Sequence, residues 1–221
     1  MNHEIYNLTE HHIQWDQAEQ LDNGILREYI GIREQQSEIQ EALETLFGDP
    51  EDSENWHMQA EALSCTVSIQ ELVGEQLLGR DLSEQAMIDH AKSRGWYDPA
   101  EGASKANTGK LLEEMGFEVH RADGQTLQDL LEALSEGEKV ICGVDTHVLQ
   151  NADMADLPGR KANHVLQLAA VDFADPEHPQ AIVNDMGTPD GKGKRYDLDV
   201  FMKAWAAGNH FAVTVGKGAA M

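Results

Sequence analysis

From Gln14 to Phe47 the chain has no proline, and Ile25, Leu26, Tyr29, Ile30, Ile32, Ile39, Leu43 and Leu46 recur at three- and four-residue steps. That spacing predicts one or two helices with an apolar stripe and a solvated acidic face. Gly48-Asp49-Pro50-Glu51-Asp52-Ser53 predicts a break. Beyond it, Val67, Leu72, Val73 and Leu77 predict a helix over Cys65–Leu78. Asp81-Leu82-Ser83-Glu84 offers the start of a second, running from Gln85 to Arg94 and stopped by Gly95. A third is expected over Lys105–Met115, closed by Gly116. The alternating Phe117-Glu118-Val119-His120 predicts a short strand, and Leu127–Leu134 a further helix. Strands are then expected at Val140–Val144, His164–Val171, Ala181–Val183 and Phe211–Val215, interrupted by a helix over Leu198–Ala206. Helices first and a mostly antiparallel sheet second define an α+β arrangement.

Composition narrows this picture. The 221 residues carry a formal net charge of −24, and a surface that negative repels phosphate backbones and anionic lipid. Neither a nucleic-acid nor a membrane partner is expected, whereas a basic peptide or protein would be attracted. The same acids also serve solubility. They are unevenly spread: residues 1–64 hold 15 Asp and Glu against Arg27 and Arg33. Two domains are expected, an acidic helical extension over 1–54 and a main domain over 55–221. The extension reads as an arm packed on the main domain or, alternatively, as an inhibitory or partner-binding segment. Nothing at the start reads as a signal peptide. Cys65 and Cys142 are too few for a disulfide framework, so a cytoplasmic, reducing location is expected, with export by a leaderless route left open. No cofactor is expected. His11-His12 with His3 could bind a metal, but their near-terminal position and missing partners favour a mobile tail, and His57 and His120 lack ligand spacing.

The chemistry concentrates in three places. Cys65 opens a predicted helix, where the positive end of the helix dipole favours thiolate. Gln59, six positions earlier, carries an amide N–H able to serve a developing oxyanion together with the Cys65 backbone N–H. His164 stands at the mouth of an apolar strand and can take the thiol proton. Asp185 ends the next strand, where it can orient that histidine. Each admits a plainer account: a small buried cysteine, an incidental strand histidine, a turn-forming Asn184-Asp185 pair. His147 is a second-choice base ahead of a loop over 149–162. Cys142 lies in an apolar strand and is expected to be inert. Gly187–Lys194 reads as a mobile hairpin, and Trp56, Trp96 and Trp205 as core or cleft wall.

Taken in order, Gln59, Cys65, His164-Val165-Leu166-Gln167-Leu168 and Asp185 resemble a papain-fold cysteine peptidase, most closely the bacteriocin-processing, double-glycine peptidase-like branch. Tyr196 to Trp205 is similar to the closing helix of that family. The resemblance covers about residues 56 to 215. It implies a bacterial thiol hydrolase that cleaves a peptide or isopeptide bond, with Cys65 as nucleophile, His164 as general base, Asp185 as orienting residue and Gln59 as oxyanion donor. Thr66 departs from the usual Gly or Ala after the cysteine, and Met186 from a frequent proline. The transporter-fused form is not expected, since membrane helices are absent. Deamidation or acyl transfer on a protein would use the same residues, and Thr66 with the long arm motivates a further alternative, a non-catalytic binding module. Neither substrate nor oligomeric state follows from these residues.

Overall fold

The structure, a computed structural model, describes residues 45–218. Most of the expected N-terminal helical extension lies outside the described residues. At its end, Leu46 and Phe47 belong not to a helix but to strand β1 (Leu46–Gly48). The stripe fails here because Gly48 takes φ +87° and Phe47 is needed inside, edge-on to Phe173 at 6.0 Å. A 3₁₀ turn over Pro50–Ser53 follows, with Asp49 capping the Glu51 N–H.

Helices α1 (Cys65–Leu78) and α2 (Glu84–Ser93) form as the pattern predicts. Gly79 ends α1 in the left-handed conformation, and the Ser83 hydroxyl caps α2. The third expected helix is split. Lys105–Asn107 is a 3₁₀ turn and α3 covers Lys110–Glu114. Gly109 between them has φ +90°, and a Cβ there would meet Val119 Cγ1 at 2.7 Å. A helix through this point is blocked by the strand it packs on.

The remaining elements are β2 (Glu118–Ala122), α4 (Leu127–Ser135), β3 (Lys139–Val144), α5 (Thr146–Gln150), β4 (His164–Asp172), β5 (Gln180–Asn184), β6 (Lys194–Asp197), α6 (Leu198–Ala206) and β7 (Ala212–Gly216). Helix α4 carries a full capping box between Thr126 and Asp129. Helix α5 falls partly in the expected loop. It is too short to show a periodicity and is started by Asp145, whose side chain accepts from the His147 N–H.

All the strands pair antiparallel in one sheet, ordered β2-β7-β3-β4-β5-β6. Strand β1 pairs with the far end of β4, beyond the reach of β3. Alternation along the strands sends side chains to opposite faces. Val140, Cys142, Val144, Leu166 and Leu168 meet α4, α5 and α6 on one face. Ile141, Val213 and Val215 meet α1 and α3 on the other. Helices therefore cover both faces of the sheet. Trp205 is fully buried in the first layer, where its indole N–H donates to the Phe211 carbonyl at 2.8 Å.

Candidate active site

Cys65 is the first residue of α1. The Ser64 carbonyl accepts from Val67 N at 2.8 Å and Ser68 N at 2.9 Å, which fixes the helix start one residue before the thiol. A first-turn N–H has no carbonyl partner within its own helix, and the same end carries partial positive charge. Across from it, His164 opens β4 in register with Val144. Its Nε2 lies 2.7 Å from Asp185 Oδ1, and the two side chains are 11% and 3% exposed. Asp185 directly follows the last residue of β5.

Asp185 is held on every side. Its Oδ1 also accepts from Gly187 N at 2.8 Å, its N–H donates to the Gly191 carbonyl at 2.9 Å, and its carbonyl accepts from Trp56 Nε1 at 2.9 Å. Two glycines make this possible. A Cβ on Gly187 would lie 2.9 Å from His164 Cε1, and one on Gly191 would lie 1.9 Å from the Asp185 carbonyl oxygen. The expected mobile hairpin is thus a tied loop. Gly191 N bonds Thr188 O, Gly193 N bonds Asn184 Oδ1, and Lys194 pairs with Asp190. Its glycines are there for close approach, a tertiary cause that a glycine count along the chain does not reveal.

The electrostatics follow from these contacts. Burial alone would push the Cys65 thiol up. Hydrogen bonding to His164, the charge on that ring, the Val165 backbone and the Thr66 side chain outweigh burial and hold the thiol below its ordinary value. Burial would lower His164, but hydrogen bonds from its ring to Asp185 and Cys65 raise it instead. Asp185, which burial would raise, is lowered by His164 and the Gly187 N–H. The opposite shifts on Cys65 and His164 are in the direction that favours proton transfer from the thiol to the ring. With Nε2 engaged by Asp185, Nδ1 is the ring nitrogen left for the thiol. Burial pushes the Cys142 thiol far up, which suits an inert core cysteine.

Gln59 lies on the turn leading into α1. Its backbone N–H donates to the Met186 carbonyl at 2.8 Å, next to Asp185. Its side-chain Nε2 donates to the carbonyls of Glu61 at 2.8 Å and Ala62 at 2.9 Å, while Oε1 is buried without a partner. Both amide hydrogens are thus engaged by the turn. His147 stands apart: its Nδ1 faces Asp145, Arg160 and Asn163.

Sequence reasoning missed an amide ladder behind the site. Gln76 on α1 and Gln167 on β4 exchange hydrogen bonds of 3.0 and 2.7 Å. Gln167 Oε1 also accepts from Asn184 on β5 at 2.9 Å. Gln76 Nε2 and Asn184 Nδ2 both reach the Asp52 carbonyl, at 2.5 and 3.2 Å, and Asp52 itself pairs with Lys139. Each element bearing Cys65, His164 or Asp185 contributes one amide. A signal existed: polar Gln167 and Asn184 interrupt otherwise apolar strands.

An antiparallel sheet covered by helices on both faces, in this order of elements, is the fold of the C39-like, papain-type peptidase domains. Two solved structures of such domains show this likeness. The peptidase domain of Streptococcus ComA, a bifunctional ABC transporter involved in a quorum-sensing pathway, covers 73% of this chain and 96% of its own, at 16% identity and a TM-score of 0.50. A protein described as a C39-like peptidase from Bacillus anthracis covers 76% and 97%, at 12% identity and a TM-score of 0.54. In sequence, uncharacterised proteins of Mycobacterium tuberculosis and Mycobacterium bovis are 26% identical over 200 residues, covering 77% of this chain and 84% of theirs. No family model matches the chain. Among the described residues, no helix is long and apolar enough to cross a membrane.

Proposed function

We propose that the protein is a thiol hydrolase acting on a peptide or isopeptide bond. The hydrogen-bonded line from Cys65 through His164 to Asp185 carries this reading. The Cys65 thiolate attacks the carbonyl carbon and the C–N bond breaks. The imidazolium of His164 gives its proton to the leaving amine, and the neutral ring then takes one from the water that releases the acyl group. Asp185 holds the ring and balances its charge. The Cys65 N–H at the helix start serves the oxyanion. Gln59 keeps the turn in shape in the resting enzyme and yields one of its two amide hydrogens to the oxyanion when substrate arrives. Thr66, whose side chain bonds the sulfur, supports the thiolate and weakens the case for a non-catalytic module.

The test is mass analysis of peptides and candidate proteins after incubation with the full chain and with its Cys65→Ala variant. Cut chains whose masses sum to the parent plus one water, absent with Cys65→Ala, support hydrolysis. An uncut substrate carrying the small mass gain of deamidation, or a transferred acyl group, would assign the same residues to another acceptor. Equal products from both proteins would overturn the reading.

A further inference from the structure

Beside the turn that leads to Cys65 lies an open cleft of about 540 Å³, lined by the carboxylates of Glu54, Glu71, Glu75, Asp81 and Glu84 together with His57. Two of its acids are locked in place. Glu84 accepts from the Ala60 N–H at 3.0 and 3.1 Å and from the Ser68 hydroxyl, and Glu75 accepts from the Leu82 N–H at 2.7 Å.

Glu71 differs from these. Its side chain is 3% exposed, yet its Oε2 has no hydrogen-bond partner. His57 Nε2 comes only to 3.4 Å, beyond a good hydrogen bond for an N–H donor. Among the described residues, no lysine or arginine forms an ion pair with Glu71, Glu75, Asp81 or Glu84. A buried carboxylate faced by a histidine at 3.4 Å and by a second carboxylate, with no lysine or arginine pairing to it, is unfavourable and calls for an explanation. Burial, then the charges of Glu75 and Glu84 and a hydrogen bond shared with Glu75, push the Glu71 carboxyl up to about 8.

We propose that this cleft binds the guanidinium group of an arginine side chain from a polypeptide, with Glu71 and Glu75 at its floor and Glu54 and Asp81 at its rim. The chemistry selects this ligand. A guanidinium is planar, weakly hydrated, and offers five N–H donors to several carboxylates at once, whereas an ammonium is a compact, strongly hydrated point charge. Among the described residues, no three His, Cys, Asp or Glu side chains are arranged to hold a metal ion. Position adds to the case. Glu71 stands six residues beyond Cys65 on α1, about 9 Å along the axis and about a third of a turn around it, so an extended peptide reaching both spans at least roughly three residues. Glu84 also bonds the backbone of the turn that carries Gln59. That the arginine belongs to a substrate of Cys65 rests on the function proposed above; the binding itself does not.

The test keeps the two apart by using full-length protein with Cys65→Ala. Calorimetric titration with Nα-acetyl-arginine amide gives saturable one-to-one binding. Its uncharged isostere, Nα-acetyl-citrulline amide, binds at least about tenfold more weakly. Glu71→Gln, which keeps shape and removes charge, weakens arginine binding by about tenfold. Affinity rises as pH passes through the range near 8, where Glu71 gives up its proton against the facing Glu75, Glu84, Asp81, Glu54 and His57. Absence of saturable binding, equal binding of citrulline, indifference to Glu71→Gln, or displacement of the arginine derivative by calcium chloride at matched ionic strength would each overturn the assignment. None of these readings depends on turnover, so the hydrolase reading stands or falls separately.

Discussion

Gly187 has room for a hydrogen and nothing larger. Its N–H holds Asp185 while its Cα faces the His164 ring. Gly187→Ala is expected to push the ring off Asp185. Turnover should fall by about a hundredfold, the scale set by misplacing a catalytic group by an ångström, while circular dichroism stays native. Wild-type turnover in Gly187→Ala would contradict this packing. Glu71 gives a second residue-level expectation. Its folded carboxyl titrates near 8, above its ordinary value of 4.5. The folded state therefore binds more protons than the unfolded one between those values, and stability falls as pH rises through that window. Glu71→Gln should then raise Tm at about pH 8.5 more than at about pH 5, and an equal shift at both would show that the charge is not the cause. At this scale Cys65, His164 and Asp185 were legible because each sits at the end of a locally patterned element. Gly187 and Glu71 were not, because what constrains them comes from distant parts of the chain.

At the scale of elements, the amide ladder keeps α1, β4 and β5 in mutual register. Gln167→Leu would leave Gln76 and Asn184 with unmet polar groups in a buried layer, at about 1–3 kcal/mol for each orphaned group. Urea unfolding should show that loss, and alkylation of Cys65 near neutral pH should slow in the protein that remains folded. A variant as stable and as reactive as the parent would show that the ladder does not support the site. The elements themselves were largely readable from the three- to four-residue and two-residue periodicities. The failures share a cause. A strand as short as β1, a helix as short as α5, and the break at Gly109 are decided by the surfaces they meet rather than by local pattern. Strand β6 likewise owes its pairing to β5 and not to any apolar run of its own.

For the whole molecule, the charge of −24 acts in two ways. Diffuse self-repulsion opposes compactness, so added salt should raise Tm by a few degrees between about 0.01 and 0.3 M, as the Debye length shortens. A Tm that falls over that range would mean that attraction within ion pairs outweighs the repulsion. The second effect is local: part of the charge is gathered in one cleft beside α1, which a chain-wide sum conceals. Fold class and the Cys–His–Asp arrangement followed from the sequence. The loop that clamps Asp185 and the grouping of the acids required the assembled sheet and helices.

The central claim is that Cys65 rests as a thiolate paired with a protonated His164. The pH dependence of its alkylation by iodoacetamide, read by mass at each cysteine, tests this most directly. The lowered thiol and raised imidazole predict an alkylation curve between about pH 6 and pH 8 that lies on the acid side of a free thiol's, with Cys142 silent and with His164→Ala moving the curve up toward an ordinary thiol near 8.5. A Cys65 rate that climbs about tenfold per pH unit across the same range, as a free thiol does, and does not change in His164→Ala would contradict it.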